Sequence, residues 1–141
     1  MSARGWWVTG CLVGLLAVAL GAFGAHGLRP HFAAVAERIG EAPAKVEGWY
    51  EVGVRYAAYH AVALLAVAWA ASRAPTRAAT VAGVGFVAGA VLFTGSLVVM
   101  GVTGARALGM ITPLGGLGFM VGWGALALAG RAALAQTEGR A

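Results

Sequence analysis

The sequence predicts an all-α, polytopic membrane protein: four transmembrane helices, with a short amphipathic interfacial helix between the first two. Three observations carry that class. The 141 residues are 60% hydrophobic and only 11% charged, with mean hydropathy +0.81, where a soluble domain would carry roughly 25% charged residues. Four stretches hold no Lys, Arg, Asp or Glu: Gly5–Leu28, Tyr56–Ser72, Ala78–Ala105 and Ala107–Gly130, of 24, 17, 28 and 24 residues. A helix needs about 20 apolar residues to cross the hydrocarbon, so residues 1–141 read as one transmembrane domain with no separate soluble module. The 23 glycines suit membrane spans, where small residues let helices approach closely.

The first span, about 6–28, opens on Arg4 and on Trp6-Trp7 as an aromatic belt. A cleavable signal peptide is the rival reading. The apolar run exceeds the roughly 7–15 residues of a signal region, so the helix is expected to be retained. Lone Cys11 reads as a small buried apolar residue. Gly10 and Gly14 make a GxxxG face, and Gly21, Gly24 and Ala25 continue the small-residue spacing up to His26.

The connection holds the interfacial segment, about 30–48. Pro30 suits a first helical position, Phe32, Val35, Ala36 and Ile39 recur at i, i+3, i+4, i+7, and Gly40 ends the turn. Such a helix is expected to lie on the membrane surface with Glu37, Arg38 and Glu41 wet. After Pro43 a new helix starts outside the membrane and enters near Trp49-Tyr50. Glu51 and Arg55 on it are spaced for an i,i+4 ion pair. The second span, about 52–72, carries Tyr56, Tyr59 and His60 and ends at the polar Ser72–Arg77 turn. The third, about 78–104, has Gly85 and Gly89 and then Thr94 and Ser96. The fourth, about 107–130, contains Thr112, Gly115, Gly116, Gly118, Gly122 and Trp123, and Pro113 starts or kinks it.

Four spans put both termini and the Ser72–Arg77 turn on one side. Arg4, Arg73, Arg77, Arg131 and Arg140 lie there, against Arg29, Arg38, Lys45, Arg55 and Arg106 opposite, five against five. Four glutamates interleave with the second group. Both termini are therefore expected in the cytoplasm, in a bacterial inner membrane. The basic residues form no run, which excludes a nucleic-acid footprint and makes membrane lipid the first expected partner.

The same topology gathers His26, Arg55, Tyr59, His60, Thr94, Ser96 and Thr112 in the half of the membrane away from the termini. Ionisable groups inside a membrane are functional candidates by default. They can simply join helices, each bond contributing about 0.6 kcal/mol. They can line a small-solute or ion path beside a backbone break at Pro113 and Gly115-Gly116. Or His26 and His60 can ligate haem or copper. No HxxxH or CxxC spacing supports the last, so no metal or cofactor is assigned. There is no Ser–His–acid set, carboxylate pair in the spans or phosphate loop, so no enzyme is predicted. The expected role is structural or accessory, with glycine faces packing against a second copy or a larger membrane complex.

Several motifs converge on one resemblance. Gly21–Leu28 (GAFGAHGL), Val54-Arg55-Tyr56 with Tyr59-His60-Ala61, Leu92–Leu97 (LFTGSL), and Ile111–Gly116 (ITPLGG) with Gly122-Trp123 resemble the YgdD-like family. That family comprises small, four-span, uncharacterised membrane proteins of bacteria, with mitochondrial relatives in eukaryotes. The resemblance covers nearly the whole chain and implies the fold and membrane location without naming an activity. Ala57 departs from it, standing where the family carries Gln.

Overall fold

In the computed structural model residues 1–138 are described; Arg140, counted above for orientation, lies outside them. The elements in order are α1 (Ala3–His26), α2 (Arg29–Ile39), α3 (Pro43–Arg73), α4 (Arg77–Gly89), a π turn (Ala90–Thr94), α5 (Gly95–Thr103), a 3₁₀ turn (Arg106–Met110) and α6 (Thr112–Glu138). No strand occurs among the described residues. Four helical stretches are long and apolar enough to cross a membrane: Ala3–His26, Pro43–Arg73, Arg77–Thr103 and Arg106–Glu138. The protein is an all-α membrane protein.

Local chemistry sets the element ends. Ser2 and Thr76 cap α1 and α4, their hydroxyls accepting from the amides of Gly5 and Ala79, each at 3.2 Å. Gly40 and Gly104 end α2 and α5 at φ of 69° and 74°, backbone that only glycine adopts without strain. Pro113 starts α6 rather than kinking it, and the fourth span's first five residues form the 3₁₀ turn instead of α-helix.

Helix α3 is central. α1 packs along one side of it and α4, α5 and α6 on the others, while α1 and α6 turn most of their surface outward. The core on the termini side is Leu64, Val67, Ala82 and Phe86. Trp6 joins it, only 3% exposed and wedged on Gly83; Trp7 alone faces outward as a belt residue would. The indole N–H of Trp6 is buried without a partner. Cys11, expected inside, is exposed, on a helix with a single packed face.

The apolar stripe of α2 also departs from expectation. Phe32, Val35 and Ala36 are buried against Val46 and Tyr50 of α3, flanked by Val98 and Val102 of α5. The stripe thus meets protein, not the membrane surface. The cause lies at the end of α5, whose last carbonyls have no intrahelical donors. His31 Nε2–H donates to the Val102 carbonyl and Arg38 to that of Thr103, both at 2.8 Å. These two bonds draw α2 over the bundle, while Arg38 itself stays exposed.

The glycines meet inside the chain. A methyl at Gly85 would stand 2.9 Å from the Gly118 carbonyl oxygen and 3.0 Å from the Gly122 nitrogen. Gly89 packs on Phe119, Gly115 on the backbone of Phe93, and Gly122 on the Phe86 ring. On α1, Gly10 sits over the Ala61 carbonyl and Gly24 over the Tyr50 ring. Gly14, Gly21 and Gly116 have only ordinary contacts, 3.6 Å or more from the nearest atom. Gly53 and Gly101, on no predicted seam, complete the α3–α5 contact.

Overpacking a close seam typically costs about 1–3 kcal/mol. Gly115→Ala is expected to lower thermal stability in mild detergent by that order. Gly124→Ala, with nothing within 4 Å, is expected to leave it unchanged or slightly raised; equal effects at both positions would contradict the close packing of α6 on the π turn.

Candidate functional site

Two faces of α3 carry the intramembrane polar groups. One comprises Glu47, Tyr50, Glu51, Val54 and Arg55, spaced i, i+3, i+4, i+7, i+8, and it borders a crevice of about 270 Å³. The far wall is Gly21, Gly24 and Ala25 of α1, with Phe32 of α2. Small residues there leave the room that larger side chains would fill. Tyr50 forms the floor, its hydroxyl donating to the Leu20 carbonyl at 2.8 Å and its ring 5.2 Å from that of Phe32.

Charges gather around this end of the bundle. Arg29 pairs with Glu47 at 3.3 Å. Glu41 takes Lys45 at 2.9 Å and Arg106 at 3.2 Å, tying the α2–α3 connection to the 3₁₀ turn. The Lys45 hydrogen bond leads in holding the Glu41 carboxyl below its ordinary value. Glu51 and Arg55 form no ion pair among the described residues, although their spacing allows one.

The second face, Tyr56, Tyr59 and His60, borders a largely apolar groove of about 720 Å³ between α3 and α6. Phe93 of the π turn and Phe119 and Trp123 of α6 complete its aromatic lining. The His60 ring lies flat on Phe119, with centroids 3.4 Å apart and planes at 2°. Its Nδ1–H donates to the Tyr56 carbonyl at 2.7 Å, and its Nε2 accepts from the Trp123 indole at 3.3 Å. An indole nitrogen can only donate, so the geometry selects the neutral Nδ1–H tautomer. His60 is 4% exposed and both ring nitrogens are engaged.

The seven predicted polar residues therefore do not form one cluster. Ser96 and Thr112 share a hydroxyl–hydroxyl bond of 2.8 Å across α5 and α6. Tyr59 and His60 border the groove and Arg55 the crevice. His26 is exposed at the end of α1. Gly24 packs at Tyr50 and Gly10 at Ala61, which sets His26 near the level of Tyr50 and about 15 Å along the bundle from His60, at helical rise. The two histidines consequently share no centre. Among the described residues no three His, Cys, Asp or Glu side chains come together as a metal site.

Thr94, one of the predicted polar residues, donates to the Gly53 carbonyl at 2.9 Å, a partner that sequence reasoning missed; it also missed the i,i+4 pair Phe119 and Trp123 that receives His60. That aromatic spacing was the signal available for the groove.

Residues 20–116 match a protein family described as "Protein of unknown function (DUF423)". The UPF0382 membrane protein YwdK of Bacillus subtilis is 43% identical over 117 residues, covering 82% of this chain and 87% of YwdK. The chain belongs to this family. The UPF0382 inner membrane protein YgdD of Escherichia coli K12 is 35% identical over 130 residues, covering 92% of this chain and 91% of YgdD. A UPF0382 membrane protein of Haemophilus influenzae is 38% identical over 116 residues, covering 82% of this chain and 85% of that protein. No solved structure matches. The DUF423 match includes every residue of the crevice, whereas the groove extends beyond it to Trp123.

Removing either partner of the His60–Trp123 bond strands a polar group in an apolar groove. In a double-mutant cycle of His60→Leu and Trp123→Phe, the coupling is expected at about 0.6–1.7 kcal/mol, the range for interhelical bonds in membranes. Additive losses in unfolding measurements would show that the bond does not join α3 to α6.

Proposed function

We propose that this DUF423 protein is a non-enzymatic, accessory component of the bacterial inner membrane, acting through contact with a partner in the bilayer. One observation carries the reading. The buried histidine and hydroxyls inside the spans are spent within the chain: His60 on Tyr56 and Trp123, Thr94 on Gly53, Ser96 on Thr112 and Tyr50 on Leu20. What holds the helices together is not poised to attack a substrate or relay a proton. Glycine seams are likewise occupied within the chain, so the partner meets the outward surfaces of α1 and α6. Small-solute transport is less well supported. The crevice gives it a mouth, but below Arg55 the α1–α3 seam closes with Gly10 on Ala61 and with Leu64 fully buried.

We further propose that both termini face the cytoplasm. Three of the five cations on the α2 side are ion-paired, while Arg4, Arg73, Arg77 and Arg131 form no ion pair among the described residues. Free cations beside short connections favour the cytoplasmic side. A fluorescent protein fused to the C-terminus is expected to light up and an alkaline phosphatase fusion to stay inactive; the reverse pattern would invert the orientation.

Purification in mild detergent after crosslinking in membranes tests the accessory role. A crosslinked second copy or a recurrent membrane partner is the expected outcome. A monodisperse monomer with no crosslinked product would overturn it.

A further inference from the structure

We propose that the α1–α3 crevice is a binding site for a zwitterionic phospholipid headgroup, one that carries a phosphate and a primary ammonium. Arg55 would take the phosphate and Glu51 the ammonium.

The crevice supplies one group of each sign in the required order. Arg55 lies four residues further into the second span than Glu51, about 6 Å deeper at helical rise. A cation inside a span is costly unless an anion joins it, and among the described residues no carboxylate pairs with Arg55. The local geometry could have supplied one. Lys45 and Glu41 show that an i,i+4 pair forms nearby on the same helix system, at 2.9 Å. Glu51 and Arg55 have the same spacing and the favourable polarity, yet both stay open to the crevice that they border. Glu47, the other carboxylate on this face, is occupied by Arg29.

Depth then selects the ligand. In a phospholipid the phosphate sits next to the acyl chains and the amine further out. Arg55 below and Glu51 above match that sequence of charges. An anionic headgroup without an amine would leave Glu51 facing a phosphate uncompensated. A quaternary amine would offer Glu51 no N–H donor. The volume of about 270 Å³ falls just under the usual range for small-molecule pockets, enough for a headgroup but not for whole lipid chains, which stay in the bilayer beside α1 and α3.

The test is native mass spectrometry of the detergent-purified protein titrated with phosphatidylethanolamine, phosphatidylglycerol or phosphatidylcholine, and separately with soluble glycerophosphoethanolamine. Phosphatidylethanolamine is expected to bind about tenfold more tightly than either other lipid, the effect of one charge-assisted hydrogen bond. Arg55→Gln should weaken it by about the same factor, and Arg55→Lys should retain most of it. Glu51→Gln should erase the preference over phosphatidylglycerol. Gly21→Leu gives a second route: the first added carbon meets only Val54, at an ordinary 3.6 Å, so the helix pair tolerates it while the crevice is filled. Equal binding of all three lipids, or undiminished phosphatidylethanolamine binding in Arg55→Gln and Gly21→Leu, would overturn the site. Soluble glycerophosphoethanolamine binding as tightly as the lipid would overturn the lipid assignment.

Discussion

Tyr50 is the joint on which one end of this protein depends. Its ring lies beneath Gly24 of α1 and against Phe32 of α2, its Cβ touches the space left by Gly101 of α5, and its hydroxyl is bonded to Leu20. Four helices thus meet on one side chain. In lipid there is no hydrophobic gain from bringing apolar helices together, because the acyl chains are as apolar as the side chains they replace. Close approach and satisfied polar groups must supply the stability instead. Tyr50 provides both, and it can do so only because two glycines stand where any methyl would collide with it.

The same economy explains the rest of the bundle. The α4–α6 contact is nearly backbone on backbone through Gly85, Gly118 and Gly122. Around it polar bonds cross between helices: Thr94 to Gly53, Ser96 to Thr112, Trp123 to His60. Where α3 and α6 diverge, aromatic rings fill part of the space and leave the groove. The structure is therefore tight on one flank of α3 and open on two others.

Much of this was legible in the chain. Runs without charge marked the spans, Gly40 ended its helix as read, and Gly85, Gly89, Gly115, Gly118 and Gly122 are all at short distances from neighbouring helices. What could not be read was direction around each helix. His26 and His60 share a half of the membrane by topology, but only the α1–α3 register shows them about ten residues apart in height, at helical rise, and on different faces. The stripe on α2 announced an amphipathic helix without saying whether lipid or protein would cover it. The donors on His31 and Arg38, aimed at the end of a helix about 65–71 residues away, decided that, and no local pattern encodes such a pairing. Trp6 failed for a similar reason: an aromatic at a span end is a belt residue unless a glycine across the bundle makes a slot for it.

The π turn at Ala90–Thr94 has a consequence for how the third span can vary. Its amide from Gly95 returns to the Ala90 carbonyl, five residues back, so the turn holds one residue more than an α-helical turn. Upstream, α4 presents Gly85 and Gly89 to α6; downstream, Thr94 and Ser96 face Gly53 and Thr112. An unbroken α-helix lacking that residue would rotate one half against the other by about 100°, and only one of these two sets could keep its partners. The span behaves as two half-helices whose facings are set independently, joined by a phase correction in the middle of the bilayer. A chain of this family that lost a single residue here would keep a helix of sufficient length and hydropathy, yet would have to choose between its glycine seam and its hydroxyl bonds.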